Sequence, residues 1–406
     1  MNILFIFSRH SKKKDDSTLT KDLANEFLRN GHNVTVVTML EKKENEETQL
    51  NIENGCKVLR VKTGNYFNVE SKIEKVLTIL TLFKKMKNGI FKYLKNEKYD
   101  LIITHTPFVS TDKLIKPIKD YFKCPTYLIL WDIFPQNAKD IGIINNKFIF
   151  NYFKNKEKKM LQIYDKIFCM SEGNVEYILK NYPYIDKQKV ELLRNWAKII
   201  PLLNINKEEL KEKMGFKPNS FTALFGGNMG KPQKLENILY LAEKCKEIKE
   251  INFLLIGNGS EKNRIRELAR VRKIDNISFR EQVSREEYEK LAYSCDIGLV
   301  SLDDRFTVPN FPSKTTDYFK IKLPIFAILD ECSAKDYGNF LKNKVKAGEF
   351  ILGKNIDKEY QKFIDLYLNK VKREEMGNNG RKFYEQFLDV NRAYKIIIGE
   401  LGENDV

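Results

Sequence analysis

Residues 221–262 read FTALFGGNMGKPQKLENILYLAEKCKEIKEINFLLIGNGSEK. A short apolar run ends in glycines, an amphipathic stretch follows, and the same order then repeats. Apolar runs of five or six residues bounded by Gly read as buried strands, and apolar positions at a spacing of three or four read as helix. The stretch therefore predicts the strand Phe221–Phe225, the helix Leu235–Glu247, the strand Asn252–Ile256 and a helix over Lys262–Lys273. Downstream, Ile277–Phe279, Asp296–Ser301 and Leu323–Ile328 read as strands, separated by helices at Arg285–Ser294 and 315–321. Four or more βα units joined by short turns predict a parallel sheet of the Rossmann type.

The same reading extends to the other half. NILFIFS (2–8) is a strand, Leu19, Leu23, Phe27 and Leu28 share one helical face, and Gly31 stops that helix before VTVVT (34–38). Further strands are expected near Lys57–Val61 and at 99–104, 126–131, 166–171 and 190–193. The fold class that follows is α/β, with two Rossmann-like, doubly wound parallel-sheet domains facing each other across a cleft. The domains are expected at 1–200 and 201–380, with the boundary near Ile199–Pro218. Residues 381–406 are expected to form a C-terminal helix that crosses back to the first domain.

Composition narrows the class. The 406 residues are 42% hydrophobic and 31% charged, which is globular. No apolar run reaches the length of a membrane span, about 18 residues. MNILFIFSRH has no basic region before its apolar run and no small-residue cleavage site, so it reads as a strand and not as a leader. A cytoplasmic location follows as an expectation. The six cysteines form no CxxC pair, and the three histidines are dispersed, so no metal is expected. The net charge of +16 is uneven: residues 1–200 hold 35 basic against 23 acidic residues, the rest 36 against 32. A basic first half suits an anionic partner.

In parallel α/β sheets ligands sit at the carboxyl ends of the strands, so the loops there carry the chemistry. The first is Gly226–Lys234. Gly227 and Asn228 can approach a ligand through the backbone, and Lys231 and Lys234 can neutralise a diphosphate. The second is VPNFPSKTTDY (308–318). There the amides of Ser313, Lys314 and Thr315 at a helix start form an anion nest, and Asp317 one turn on can accept from ribose hydroxyls. The third, Gly257-Asn258-Gly259, is a weaker GxG turn. Neither GxGxxG nor GxxxxGK[ST] occurs, which argues against dinucleotide enzymes and P-loop NTPases. In the first half, Trp131-Asp132 follows a strand, with Asp132 placed to orient a hydroxyl or act as a base. His105 and Thr106 end a neighbouring strand. Trp196 reads either as a packing residue between domains or as a substrate contact.

Taken in order, LILWDIFPQNAKDIG, the RNW at 194–196, GGNMGKPQKLENIL, LIGNGSEK and FPSKTTDYFKIKLPIFAIL resemble retaining glycosyltransferases of family 4, which adopt the B fold of two Rossmann-like domains. The set spans Asn2 to about Ala393 and is most similar to the bacterial branch that builds capsular and O-antigen polysaccharides. The resemblance implies transfer of a sugar from a nucleotide-sugar, UDP-linked by expectation, to a glycan acceptor carried on a polyprenyl diphosphate. It implies that Lys234 and Lys231 neutralise the departing diphosphate, that Ser313, Lys314 and Thr315 cradle its phosphates, and that Asp317 binds the ribose. Gly227, Asn228 and Gly257 complete the donor side, with Asp132 catalytic and His105 and Trp131 on the acceptor side. Family members retain anomeric configuration, as a rule without a metal, and the leaving diphosphate assists from the front face. The chain departs from the family in three places. Asn228 stands where an Arg is frequent, Pro309 stands at the earlier of two paired glutamates, and Trp131 replaces a histidine.

Residues 71–95 carry seven lysines and one glutamate, with Val76, Ile79, Leu80, Phe83, Ile90, Phe91 and Leu94 as an apolar face. This predicts a basic amphipathic helix that lies on an anionic membrane, placing the protein peripherally on the inner face of the cell membrane. The competing classes are a catalytically silent transferase-like partner, which would tolerate loss of Lys234 and Asp317, a B-fold sugar-nucleotide epimerase, and a nucleic-acid binder. No RRM, KH, zinc-finger or helix-turn-helix pattern supports the last, so no nucleic acid is expected.

Overall fold

A computed structural model describes residues 1–14, 16–67, 69, 71–107, 112–203, 206–213, 215–217 and 219–399. It divides into two compact units. The first holds Met1–Lys139, Ile144–Lys198 and the chain from Val390 on, and the second holds Asp140–Ile143 and Ile199–Asp389.

The first unit is built on an eight-stranded sheet. Its strands are β1 (Asn2–Phe7), β2 (Asn33–Leu40), β3 (Gln49–Glu53), β4 (Cys56–Lys62), β5 (Leu101–His105), β6 (Thr126–Leu130), β7 (Lys166–Cys169) and β8 (Val190–Leu192), in the order β3-β4-β2-β1-β5-β6-β7-β8. Ile3 to Phe7 are all fully buried, as expected of a central parallel strand covered on both faces. One face packs Leu23 and Phe27 of the helix Leu19–Arg29 together with Ala393, Tyr394 and Ile397. β3 was not read from the sequence. It pairs antiparallel with β4 through Asn54-Gly55, both at positive φ (51° and 87°), the left-handed conformation that an Asn-Gly hairpin turn uses.

The second unit is a six-stranded, all-parallel sheet of β9 (Phe221–Gly226), β10 (Ile251–Ile256), β11 (Ile277–Arg280), β12 (Ile297–Ser301), β13 (Ile325–Leu329) and β14 (Gly348–Leu352). Their order is β11-β10-β9-β12-β13-β14. β14 is one strand more than the sequence reading gave this half. The winding reverses between β9 and β12, and the site described below stands there.

The units divide between Lys198 and Ile199, at the start of the expected boundary region, and the return to the first unit begins at Val390, not at 381. Arg381 explains that difference. It is 5% exposed and donates to the carbonyl of Ile200 at 2.7 Å, to that of Lys320, and to Glu385, all in the second unit. The helix Val390–Ile398 belongs to the first unit: the Val390 amide donates to Ala197 O at 3.0 Å, and the Tyr394 hydroxyl pairs with His32 Nε2 at 2.8 Å. Trp196 is a core residue of that same unit, 2% exposed, with Nε1 donating to Leu19 O at 2.9 Å. It is thus a packing residue of the first unit's own core, where the sequence left packing between domains and a substrate contact as the alternatives.

The helix Lys72–Leu94 splits the apolar face expected of it. Leu82, Met86, Ile90 and Leu94, spaced by four, are buried at 2% or less. Gly89 admits this close packing, since a Cβ there would stand 2.8 Å from Val61 of β4. In the first half of the helix Ile73, Val76, Leu77, Ile79 and Leu80 are exposed instead. A second exposed apolar group, missed in the sequence, is Phe148, Ile149 and Tyr152 at the start of the helix Lys147–Leu161. Among the described residues no helix is long and apolar enough to cross a membrane.

Candidate active site

In the second unit, the loops after β9 and β10 interlock. The Gly227 amide donates to Ile256 O and the Met229 amide to Asn258 O, each at 2.9 Å. A Cβ on Gly257, whose φ is 141°, would stand 2.0 Å from Gly227 O, and one on Gly259 would stand 2.5 Å from the Met229 carbonyl. Gly257 and Gly259 are glycines because two backbones meet there. Gly227 differs: its φ is 119°, nothing lies within 4 Å of a Cβ built on it, and it and Asn228 are exposed. Its Cα face is the open surface in this loop, while its amide and carbonyl are turned to the loop after β10.

Lys231 and Lys234 follow in a tight turn, Lys231–Gln233. Lys231 is exposed. Lys234 takes the left-handed conformation (φ 36°), uncommon for a residue with a side chain. Three bonds hold it: its amide donates to Lys231 O (3.1 Å), and its carbonyl accepts from the Asn237 amide (2.9 Å) and Ser301 Oγ (3.2 Å). Its ammonium pairs with Asp304. The next loop is anchored too, because the Asp303 amide donates to Pro232 O at 2.9 Å and Arg305 grips the Asp303 carboxylate through two nitrogens.

Lys314 begins the helix Lys314–Lys320. Its ammonium donates to Gln233 Oε1 at 2.9 Å and lies 3.7 Å from the centre of the Phe225 ring. It thus ties this helix to the turn that bears Lys231 and Lys234. Burial pushes the ammonium down to about 7, with Asp317 acting in the opposite direction. Tyr318 seats the helix beneath β9 and β12: its buried hydroxyl reaches Leu224 O (3.1 Å), Leu299 O (3.2 Å) and the Gly226 amide (3.3 Å). Ser313 is exposed. Thr315 is not open in the same way, because its amide bonds Pro312 O (3.1 Å) and its hydroxyl pairs with the buried Tyr337 hydroxyl (2.7 Å). The i−3 turn that starts this helix uses the amide that the sequence reading had offered to an anion. Asp317 is half-buried and ion-paired with Arg285, a partner the sequence did not suggest.

In the first unit, Trp131 and Asp132 follow β6. The Asp132 amide donates to Thr106 Oγ1 at 3.0 Å, which fixes the backbone of this loop. Burial raises its carboxyl to about 6. Trp131 lies 4.5 Å from the His105 ring and 6.3 Å from Trp196. His105 is 3% exposed, and burial lowers it to about 4. Its Nε2 accepts from the Ser8 amide (3.1 Å), and Nδ1 faces Thr106 O (2.9 Å), which makes Nδ1 the protonated nitrogen. Both nitrogens are bonded inside the unit, so His105 fixes the loop after β1 against β5.

Among the described residues no three His, Cys, Asp or Glu side chains are grouped to hold a metal. The cysteines are unpaired, and all but Cys332 are buried. A cavity of about 430 Å³ lies before β12 and β13, lined by Lys207, Asp296, Lys322 and Arg373, at the edge opposite the glycine loops.

Two doubly wound sheets in one chain give the B fold, and the two family models that match the chain place it among the B-fold glycosyltransferases. The chain belongs to family 4 of these. Residues 17–197 match Glycosyltransferase Family 4, and residues 206–383 match Glycosyl transferases group 1. It is 29% identical over 205 residues to the UDP-Gal:alpha-D-GlcNAc-diphosphoundecaprenol alpha-1,3-galactosyltransferase of Escherichia coli, covering 45% of this chain and 47% of the relative. The alignment thus spans about half the length of that relative. Sucrose-phosphate synthase from Thermosynechococcus elongatus shares the fold with a TM-score of 0.76 at 13% identity, over 98% of both chains. Alr3699/HepE from Anabaena, solved with UDP, does so with a TM-score of 0.67 at 14% identity, over 98% of this chain and 99% of the other.

Proposed function

We propose that this protein is a retaining glycosyltransferase that moves a sugar from a UDP-sugar to a polyprenyl-diphosphate-linked glycan during assembly of a bacterial surface polysaccharide. The observation that carries this reading is the bond from the Lys314 ammonium to Gln233, which ties the helix after β12 to the turn after β9 that bears Lys231 and Lys234. Three ammonium groups on one strand edge suit a diphosphate that gains charge as the C1–oxygen bond breaks. Donors placed where charge develops lower the barrier most. Lys234 and Lys231 neutralise the departing diphosphate, Ser313 and Lys314 hold its phosphates, and Asp317 takes the ribose hydroxyls. The acceptor hydroxyl bonds to C1 on the face that the diphosphate leaves, and its proton passes to a phosphate oxygen. Asp132 accepts a hydrogen bond from that hydroxyl and orients it, with Trp131 as an apolar wall. No metal enters this scheme. UDP is proposed because the Escherichia coli relative is named for UDP-Gal and the Anabaena protein was solved with UDP. The diphosphoundecaprenol in that relative's name supports a lipid-linked acceptor.

Such an acceptor lies in a membrane. The exposed residues Ile73, Val76, Leu77 and Leu80, with lysines along the same helix, and the exposed Phe148, Ile149 and Tyr152 support docking on an anionic bilayer from its inner face.

The test is a thermal-shift titration against UDP, GDP, CMP and ADP, repeated on Asp317→Ala. A ligand that binds only the folded state stabilises it by about 2.7 kcal/mol at a hundred times its Kd. The expected result is saturable stabilisation by UDP alone, lost in the variant. No stabilisation by any nucleotide would favour a catalytically silent partner.

A further inference from the structure

We propose that Asp304 and the donor's diphosphate compete for the Lys234 ammonium, so that Asp304 sets how readily the nucleotide product leaves. The inference rests on the reading of Lys234 as a diphosphate ligand.

Lys234 is fixed at its backbone and adjustable at its tip. The three bonds to its amide and carbonyl hold it in the left-handed conformation. Its side chain is 31% exposed, and that of Asp304 is 29% exposed. Part of each side chain is thus open to an incoming anion, while the paired oxygen, Asp304 Oδ1, faces inward. The two acids that follow β12 are differently engaged. Asp303 is 2% exposed, accepts two Arg305 nitrogens (2.9 and 2.6 Å) and donates its amide to the Lys231–Gln233 turn. It is a structural brace. Asp304 has its ion pair with Lys234, the residue on which leaving-group stabilisation depends.

A single carboxylate holds an ammonium less strongly than a diphosphate that also meets Lys231 and Lys314. The nucleotide-sugar therefore displaces Asp304. After transfer the balance matters in the other direction. A free nucleoside diphosphate carries more charge than the sugar-bound one, and Lys234 would retain it. A carboxylate waiting beside the ammonium supplies the counter-charge that release requires. Uniform tight binding of donor and product does not raise turnover. Asp304 is thus a positioning residue that limits ground-state and product affinity.

The experiment measures UDP and uridine binding by calorimetry, with donor KM and kcat, in the wild type, Asp304→Asn, Lys234→Ala and the double variant. Loss of a part-exposed competing charge should tighten UDP about fivefold in Asp304→Asn. Donor KM and kcat should both fall, and uridine affinity should stay unchanged. Asp304→Glu should restore the wild-type values. In the Lys234→Ala background the same substitution should change UDP affinity by less than about twofold, because the shared partner is gone. Three results overturn the proposal: unchanged or weaker UDP binding in a folded Asp304→Asn, equal tightening with and without Lys234, or uridine affinity moving in parallel. If Asp304→Asn does not fold, Asp304→Ser and Asp304→Glu are compared, and equal UDP affinity in these two overturns it as well. The underlying reading fails separately, when Lys234→Ala leaves UDP affinity at the wild-type value.

Discussion

The two sheets use the same edge for different chemistry. Where β9 and β12 end, the second unit presents the open Cα face of Gly227 and three lysines, Lys231 exposed, Lys234 paired with Asp304 and Lys314 bonded to Gln233. Where β5 and β6 end, the first presents Trp131 against His105 and one half-buried carboxylate, Asp132. The first arrangement suits a ligand of fixed negative charge. The second suits an apolar or neutral body and the control of one proton. A parallel sheet dictates where a ligand sits, and the residues after each strand dictate its charge.

The sharpest way to break this contrast is Lys234→Ala. If the cationic edge stabilises a leaving diphosphate, turnover should fall by about two to three orders of magnitude, as when an oxyanion donor is removed. The melting temperature should stay close to wild type, because the Lys234 side chain is 31% exposed and outside the core. Near-normal turnover in the folded variant would remove Lys234 from the chemistry.

Asp132→Ala tests the other edge, with a loss of roughly a hundredfold expected for a positioned carboxylate. Burial raises Asp132 to about 6, so the acid ionises only above that pH. Wild-type turnover should therefore decline as pH falls through about 6, and the residual activity of the variant should lack this limb. A limb that persists in Asp132→Ala belongs to another group.

Lys314 gives a pH test of the cationic edge alone. Its folded value of about 7 means that it is largely neutral at pH 8. A diphosphate favours the charged form, so binding takes up a proton above pH 7. UDP affinity should be flat below pH 7 and weaken above it. In Lys314→Met it should be about tenfold weaker at pH 6.5, with the slope gone, a pKa shift of one unit being worth about 1.4 kcal/mol. Proton uptake measured in buffers of different ionisation enthalpy checks the sign.

How much of this contrast was legible in the sequence depended on distance along the chain. The strands were, because buried parallel strands are continuous apolar runs. Lys231 and Lys234 stand out because they follow a strand and glycines, and Lys314 because it follows Pro312-Ser313 at a helix start; their roles are the reading proposed above. Arg285 and Asp304 do not stand out. Each matters through a partner tens of residues away, Arg285 through Asp317 and Asp304 through Lys234. Spacing along the chain carries no trace of such pairs. Thr315 was misleading for a local reason, since its amide is used by the i−3 turn at Pro312. β3 was available and overlooked, for Asn54-Gly55 is a hairpin signal that its mostly polar strand conceals.

The smallest expected effect concerns the helix Lys72–Leu94, where one element holds the contrast in miniature. Its second half is an ordinary core helix, with Ile90 at 0% exposure, and its first half leaves Leu77 at 58% and Leu80 at 73%. Amphipathicity alone does not separate these halves, because both put apolar residues at helical spacing. Only the burial of Leu82, Met86 and Ile90 against the rest of the unit distinguishes them. Docking on an anionic bilayer predicts that Lys84→Gln lowers partition onto anionic liposomes about fivefold, since one lysine near such a surface is worth about 1 kcal/mol. Partition onto neutral liposomes should not respond. Leu80→Ser should weaken both without altering the melting temperature, whereas Ile90→Ser should lower the melting temperature, because it places a hydroxyl in a packed core. Equal partition of wild type and Leu80→Ser would reduce the exposed half to surface apolar residues of no consequence. A melting temperature lowered as much by Leu80→Ser as by Ile90→Ser would show that the first half is buried in solution, which would end the contrast between the two.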